Sequence, residues 1–274
     1  MTHSIKRVVI PLDAASETRT AIDTAARLAA RWQVPLHGIF VEDEELVGLA
    51  CLPFARQVAL GSGLQPLTRD HVEDHFRAFV ERTRRELAAA AERQGVKWSF
   101  EVVRGPLATD AVGGAENDFV VAGAATRPVG AHFRVPSRWW SSLAIIARPF
   151  LFAKRAWETG GSVLALLHRR GPEAERALDL AAQIAGFGSS NLTVAATGDL
   201  AASDDFAAWV SGLVAAHSLT LQTETAAPEP AALRGRIIEL DCRLLVAEAT
   251  TDETRVAALR ELVERAACDV LIIS

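Results

Sequence analysis

The sequence predicts an α/β protein: two tandem five-stranded, mainly parallel sheets flanked by helices and paired as an internal pseudo-dimer. Three observations carry this prediction. Short apolar runs alternate with longer amphipathic stretches, the pattern of β-α units that close a parallel sheet under helices. The stretch Ala21-Ile22-Asp23-Thr24-Ala25-Ala26-Arg27-Leu28-Ala29 returns as Ala177-Leu178-Asp179-Leu180-Ala181-Ala182-Gln183-Ile184-Ala185. Each copy follows a strand-like run, Arg7-Val8-Val9-Ile10-Pro11-Leu12 and Ser162-Val163-Leu164-Ala165-Leu166-Leu167, so the chain reads as a tandem duplication.

In the first half, strands are expected over 7–12, 35–41, 98–104, 118–123 and 149–153. Helices are expected over 17–32, 69–94, 107–115 and 138–147. The first follows Ser16, and its apolar positions Ala21, Ala25, Leu28 and Ala29 recur at helical spacing, so that face should lie on the sheet. In the second half the same grammar places strands at 162–167, 190–196, 219–224, 243–248 and 269–273. Helices follow at 172–186, 203–217, 229–240 and 253–267. The polar connector from Lys154 to Gly161 separates the halves, so the expected domains are 1–156 and a shorter 157–274. Each small open sheet leaves its last strand as a bare edge, and pairing the two edges would cover both.

The segment from Glu44 to Leu67 has no repeat partner and sits at the carboxyl end of the sheet, where ligands of α/β folds bind. It reads either as a lid or docking flap, or as a decorated crossover whose leucines pack on the core. The halves also differ at their strand ends. The first strand run is followed by Asp13 and its counterpart by His168; the fourth ends in Gly123 and its counterpart in Glu248.

Half of the 274 residues are hydrophobic and 23% are charged, enough apolar content for each half to bury a core. A net charge of -5 argues against a nucleic-acid or anionic-membrane surface. Cys51, Cys242 and Cys268 are widely spaced without a C-x-x-C, which indicates neither a disulfide framework nor a zinc site. A reducing cytosol fits this usage, so a cytoplasmic location is expected. The amino terminus lacks the apolar core of a signal peptide, and no apolar run reaches the ~20 residues that span a bilayer.

With Val9-Ile10-Pro11-Leu12-Asp13 closing strand one, an amphipathic helix after it and Gly123 closing strand four, the first half resembles the universal stress protein family. The resemblance extends to the five-strand order of both halves. It implies an α/β fold related to other adenine-nucleotide-binding domains, many of whose members bind ATP. It further implies that the residues around Pro11, Asp13 and the strand-two end at Val41 hold the adenosine. A loop of the form G-x2-G-x9-G-[ST] then wraps the phosphates, because small residues let backbone N–H groups approach the oxygens. Laid on this sequence from Gly123, the second glycine position falls on Thr126, the third on Pro136 and the hydroxyl on Ser137. Pro136 offers no N–H and Thr126 resists a left-handed backbone. Arg127, Arg134 and Arg138 bring guanidinium groups that pair with phosphate.

The second half departs further. His168 replaces the Asp, Glu248 replaces the first Gly, and a carboxylate there repels phosphate. No nucleotide is expected in that half. Asp13 has a second reading as a plain cap of the turn after strand one, and Val41 as an ordinary strand valine.

Other constellations are weaker. His71 and His75 are four apart on a helix, but the run is not H-E-x-x-H and has no third ligand in view. His168 with Asp179 or Glu173 lacks a nucleophile, so no hydrolytic triad is expected. Adjacent Trp139 and Trp140 cannot both face one core, leaving one ring for a loop, a partner or a base. Arg82-Thr83-Arg84-Arg85, flanked by Glu81 and Glu86, reads as an ion-paired helix surface.

The expected protein is a cytoplasmic stress-response or signalling module with an adenine nucleotide such as ATP, with Mg²⁺ if it accompanies the nucleotide, in the first half only. A scaffold acting by protein contact is the alternative. A slow ATPase is the third reading, and no residue clearly supplies its Mg²⁺ or its water. The expected partners are the intrachain domain pair, with a homodimer and a further protein partner left open.

Overall fold

The computed structural model describes residues 5–12, 18–42, 48, 52, 56–59, 63–104, 117–123, 148–155, 161–188, 191–225, 230–250 and 252–274. Ten strands form one sheet. In chain order they are β1 (Arg7–Leu12), β2 (Leu36–Glu42), β5 (Trp98–Arg104), β6 (Asp118–Gly123) and β7 (Phe150–Ala153), then β8 (Ser162–Leu167), β9 (Asn191–Ala196), β10 (Thr220–Thr225), β11 (Cys242–Glu248) and β12 (Asp269–Ile273). Strands β3 (Arg56–Ala59) and β4 (Gly63–Pro66) pair antiparallel in a separate small sheet.

The sheet order is β10-β9-β8-β11-β12-β7-β6-β1-β2-β5. Outward from its middle, each block of five runs fifth, fourth, first, second, third strand, so one topology occurs twice. Every neighbouring pair is parallel except β12 with β7, whose antiparallel register sets Val270, Leu271 and Ile272 against Phe152, Leu151 and Phe150. The two last strands thus close each other's bare edges, as the repeat predicts. The insertion at 44–67 contains the β3–β4 hairpin, which its leucine-rich sequence did not announce.

Among the described residues six α-helices cover the sheet: α1 (Thr18–Trp32), α2 (Arg69–Gln94), α3 (Pro172–Gly186), α4 (Phe206–Val214), α5 (Pro230–Glu239) and α6 (Glu253–Arg265). The helices expected at 107–115 and 138–147, and Trp139 and Trp140 with them, lie outside the described residues. The predicted face of α1 is fully buried: Ala21, Ala25, Leu28 and Ala29 are each no more than 1% exposed. Helix α2 starts where the Thr68 hydroxyl accepts from the His71 N–H and stops at Gly95, whose φ of 66° suits a residue without a Cβ. Helix α3 opens with Pro172 and carries Glu173 and Glu175 in its first turn, where acids complement the helix dipole. Helix α4 is shorter than the expected 203–217: it starts only at Phe206, after Ser203 and Asp205 have bonded their side chains to Arg170, and ends at Val214.

The apolar side chains form a core on each face. One joins α1, α2, α3 and α4 to the sheet and runs across both blocks. The other joins β6, β7, β8, β11 and β12 to α5 and α6. The connector is anchored at both ends. Asp269 Oδ1 accepts the N–H groups of Lys154 and Arg155 at 2.8 and 3.2 Å. Gly161 has a φ of +79° and lies where a Cβ would come 3.0 Å from Arg243 Cβ, so the glycine is required there.

Candidate functional site

In an open α/β sheet, ligands bind at the carboxyl ends of the strands where the strand order reverses. This chain has two such places, between β1 and β6 and between β8 and β11.

At the first, Pro11 lies in the last two residues of β1, while Val41 is next to last in β2 and Gly123 closes β6. The order β6-β1-β2 brings these three predicted positions to the ends of three adjacent strands. The β1–β6 ladder runs over Arg7↔Asp118, Val8↔Phe119 and Val9↔Val120. Pro11, two residues on, has no N–H with which to extend it. At the opposite end the two strands are clamped: Arg7 Nη2 and Nε meet Asp118 Oδ2 and Oδ1 at 2.6 and 3.2 Å. Val41 buries its side chain with Val9 and Ile39. Asp13, Thr126, Arg127, Arg134, Pro136, Ser137 and Arg138 lie outside the described residues.

At the second place the chain's own groups bond to one another. The β8–β11 ladder continues to Leu166↔Ala247, near the ends of both strands. Beyond it the His168 N–H donates to Glu248 Oε2 at 3.1 Å, bridging the crevice. The Thr197 hydroxyl donates to the Leu167 carbonyl at 3.2 Å and also meets His168 Nδ1. Because the single hydroxyl proton goes to the carbonyl, the ring nitrogen is assigned as the donor to Thr197. Glu248 is 8% exposed, and its Oε1 is buried without a partner among the described residues.

Burial pushes the Glu248 carboxyl above its usual range. Burial, with the Arg255 charge adding to it, lowers the His168 pKa to about 4. His168 is therefore neutral at pH 7. The acid/base pairing of His168 with Asp179 or Glu173 does not form. Asp179 instead accepts from Gln183 Nε2 at 3.0 Å and stands 3.8 Å from His217 Nε2. Thr197 went unnoticed in the sequence. Its signal was positional, since it follows the second strand of its block.

A histidine held neutral in the fold contributes stability that is present above pH 6.5 and lost as pH falls toward 4. His168→Asn removes this dependence. Wild type should lose up to about 2 kcal/mol relative to the variant between pH 7 and 4.5, after allowance for solvent screening. Urea unfolding at both pH values measures it, and parallel losses in the two proteins would sink the assignment.

His71 and His75 lie exposed on α2, and among the described residues no group of three metal-ligating side chains occurs. Ion pairs such as Arg82–Glu86 at 3.9 Å give that helix the charged surface its sequence predicts. No described helix is long and apolar enough to cross a membrane.

Neither a family model nor a curated protein matches the sequence. Solved structures do. A universal stress protein from Archaeoglobus fulgidus is 15% identical with a TM-score of 0.67, the match covering 98% of both chains. A functionally unknown protein from Pseudomonas aeruginosa is 17% identical with a TM-score of 0.60, over 99% of this chain and 93% of that one. A candidate universal stress protein from Pseudomonas aeruginosa is 16% identical with a TM-score of 0.56, over 99% and 94%. From end to end, this chain has the fold of the universal stress proteins.

Proposed function

We propose that the protein is a universal-stress-type response or signalling module that binds an adenine nucleotide in its first half and none in its second. The observation that carries this is the contrast between the two crevices. At the first, the ladder meets Pro11 and the fourth strand ends in Gly123, a residue that lets a ligand approach the backbone. At the second, the Glu248 carboxylate already occupies the His168 N–H and presents negative charge to any phosphate. On this reading residues 1–156 form the binding unit, with Asp13 on the adenosine and the 123–138 loop on the phosphates. Residues 157–274 are its structural partner, and the 44–67 insertion, at the carboxyl end of β2, is placed to report occupancy.

Isothermal titration with ATP, ADP and AMP, with and without Mg²⁺, tests this. The expected result is saturation at one site per chain, at least tenfold weaker in Asp13→Ala, a loss of roughly 1.4 kcal/mol or more. Glu248→Gly should leave the stoichiometry at one. Absence of binding heat for every nucleotide would favour the protein-contact scaffold, and turnover of bound ATP would favour the ATPase.

A further inference from the structure

Cys242 opens β11, and Cys268 immediately precedes β12. Side chains alternate between the faces of a strand, so Leu244 and Leu245 belong to opposite cores. Uninterrupted alternation would put Cys242 on the face of Leu244. The register against β8 steps from Cys242↔Ser162 to Leu244↔Val163, which makes Arg243 an extra residue, a β-bulge. The bulge returns Cys242 to the face of Leu245, where it is buried. On the neighbouring strand Val270 occupies that same face, and so does Cys268 two residues earlier. Because Leu244 sits opposite Asp269, skipping the bulged residue sets Cys242 beside Cys268.

Neighbouring strands lie about 4.8 Å apart, inside the range of ~4.4–6.8 Å between Cα atoms that a disulfide spans. Both thiols are free and buried, at 4% and 0% exposure. The Cys242 thiol donates to the Leu244 carbonyl at 3.1 Å. The neighbouring Cys242 sulfur and the Lys154 ammonium lower the pKa of Cys268, while the proximity of Cys268 and burial raise that of Cys242. Cys268 is thereby the more acidic sulfur and Cys242 the less acidic, which suits the first to attack and the second to resolve. The Lys154 ammonium is fixed by donating to the Ala266 carbonyl at 2.7 Å.

We propose that Cys242 and Cys268 form a redox-active dithiol that closes to an intrachain disulfide when the protein meets a peroxide. The Cys268 thiolate attacks one peroxide oxygen, the O–O bond breaks, and the departing oxygen leaves as water after taking up a proton. Cys268 is then a sulfenic acid. The Cys242 sulfur attacks the Cys268 sulfur, the S–O bond breaks, and the hydroxyl departs as a second water with the Cys242 proton. Two thiols and one hydrogen peroxide give one disulfide and two waters. The burial of both sulfurs makes the step slower than oxidation of an exposed thiol. The product staples β11 to β12 beside the Asp269 anchor of the connector, so oxidation would stiffen the join between the two blocks.

The test uses the full chain with Cys51→Ser, which leaves only these two thiols. After hydrogen peroxide, intact mass should fall by about 2 Da, and both thiols should vanish from a titration in denaturant and return on reduction. Adding Cys242→Ser should replace that loss by oxygen adducts on Cys268. Two titratable thiols persisting after treatment, oxygen adducts without loss of mass in the two-thiol protein, or disulfide-linked dimers alone would each overturn the proposal. The two-thiol protein decides the matter even if the double variant does not fold.

Discussion

Arg7→Ala should lower the unfolding free energy by roughly 3 kcal/mol, because it strands a carboxylate that cannot return to water. Asp118 is 1% exposed at the amino end of β6, and Arg7 meets it with two nitrogens of its guanidinium. The arginine is itself partly open to solvent, so the pair as a whole adds little against an apolar replacement. The penalty comes from breaking one side of it. Arg7→Ala combined with Asp118→Ala should therefore be more stable than Arg7→Ala alone, and urea unfolding of the four proteins gives the coupling directly. A double variant no more stable than Arg7→Ala would show that Asp118 is not held by this clamp.

Trp32→Ala should cost about 3 kcal/mol through lost aromatic packing. Trp32 ends α1 and joins the two blocks on one face of the sheet. Its ring lies 4.8 Å from Phe119 in its own block and 5.8 Å from Phe187 in the other. Its Nε1–H donates to Gln183 Oε1 at 2.9 Å across the join. Gln183 stands in α3 where Arg27 stands in α1, so the repeat carries different side chains at the contact between its copies. A cycle with Phe187→Ala should show coupling of about 0.5–1.5 kcal/mol. Additivity within about 0.3 kcal/mol would mean that this contact does not couple the two blocks.

Much of the architecture is legible in the residues because local physics writes it there. The apolar runs at 7–12 and 162–167 and the helix face of Ala21, Ala25, Leu28 and Ala29 give element types that burial confirms. The β3–β4 hairpin was illegible, since Leu46 to Phe54 reads as packing material and no alternation marks the strands at 56–59 and 63–66. For the candidate site, the strand-end positions of Pro11, Val41 and Gly123 were legible, because they can be placed by counting along the strands. Its loop residues, Thr126, Arg127, Ser137 and Arg138, belong to the span outside the described residues, so they rest on the resemblance alone.

By itself the sequence determined the α/β class, the repeated block and the difference between Gly123 and Glu248, because each follows from spacing and residue type along the chain. Only the tertiary structure decided what those differences touch. That Glu248 takes the His168 N–H, that Trp32 reaches Gln183, and that a bulge at Arg243 turns Cys242 toward Cys268 all depend on register between strands and on helix placement. Those are contacts across long separations in sequence. One-residue shifts of register, which local propensity does not encode, reverse which face a side chain occupies.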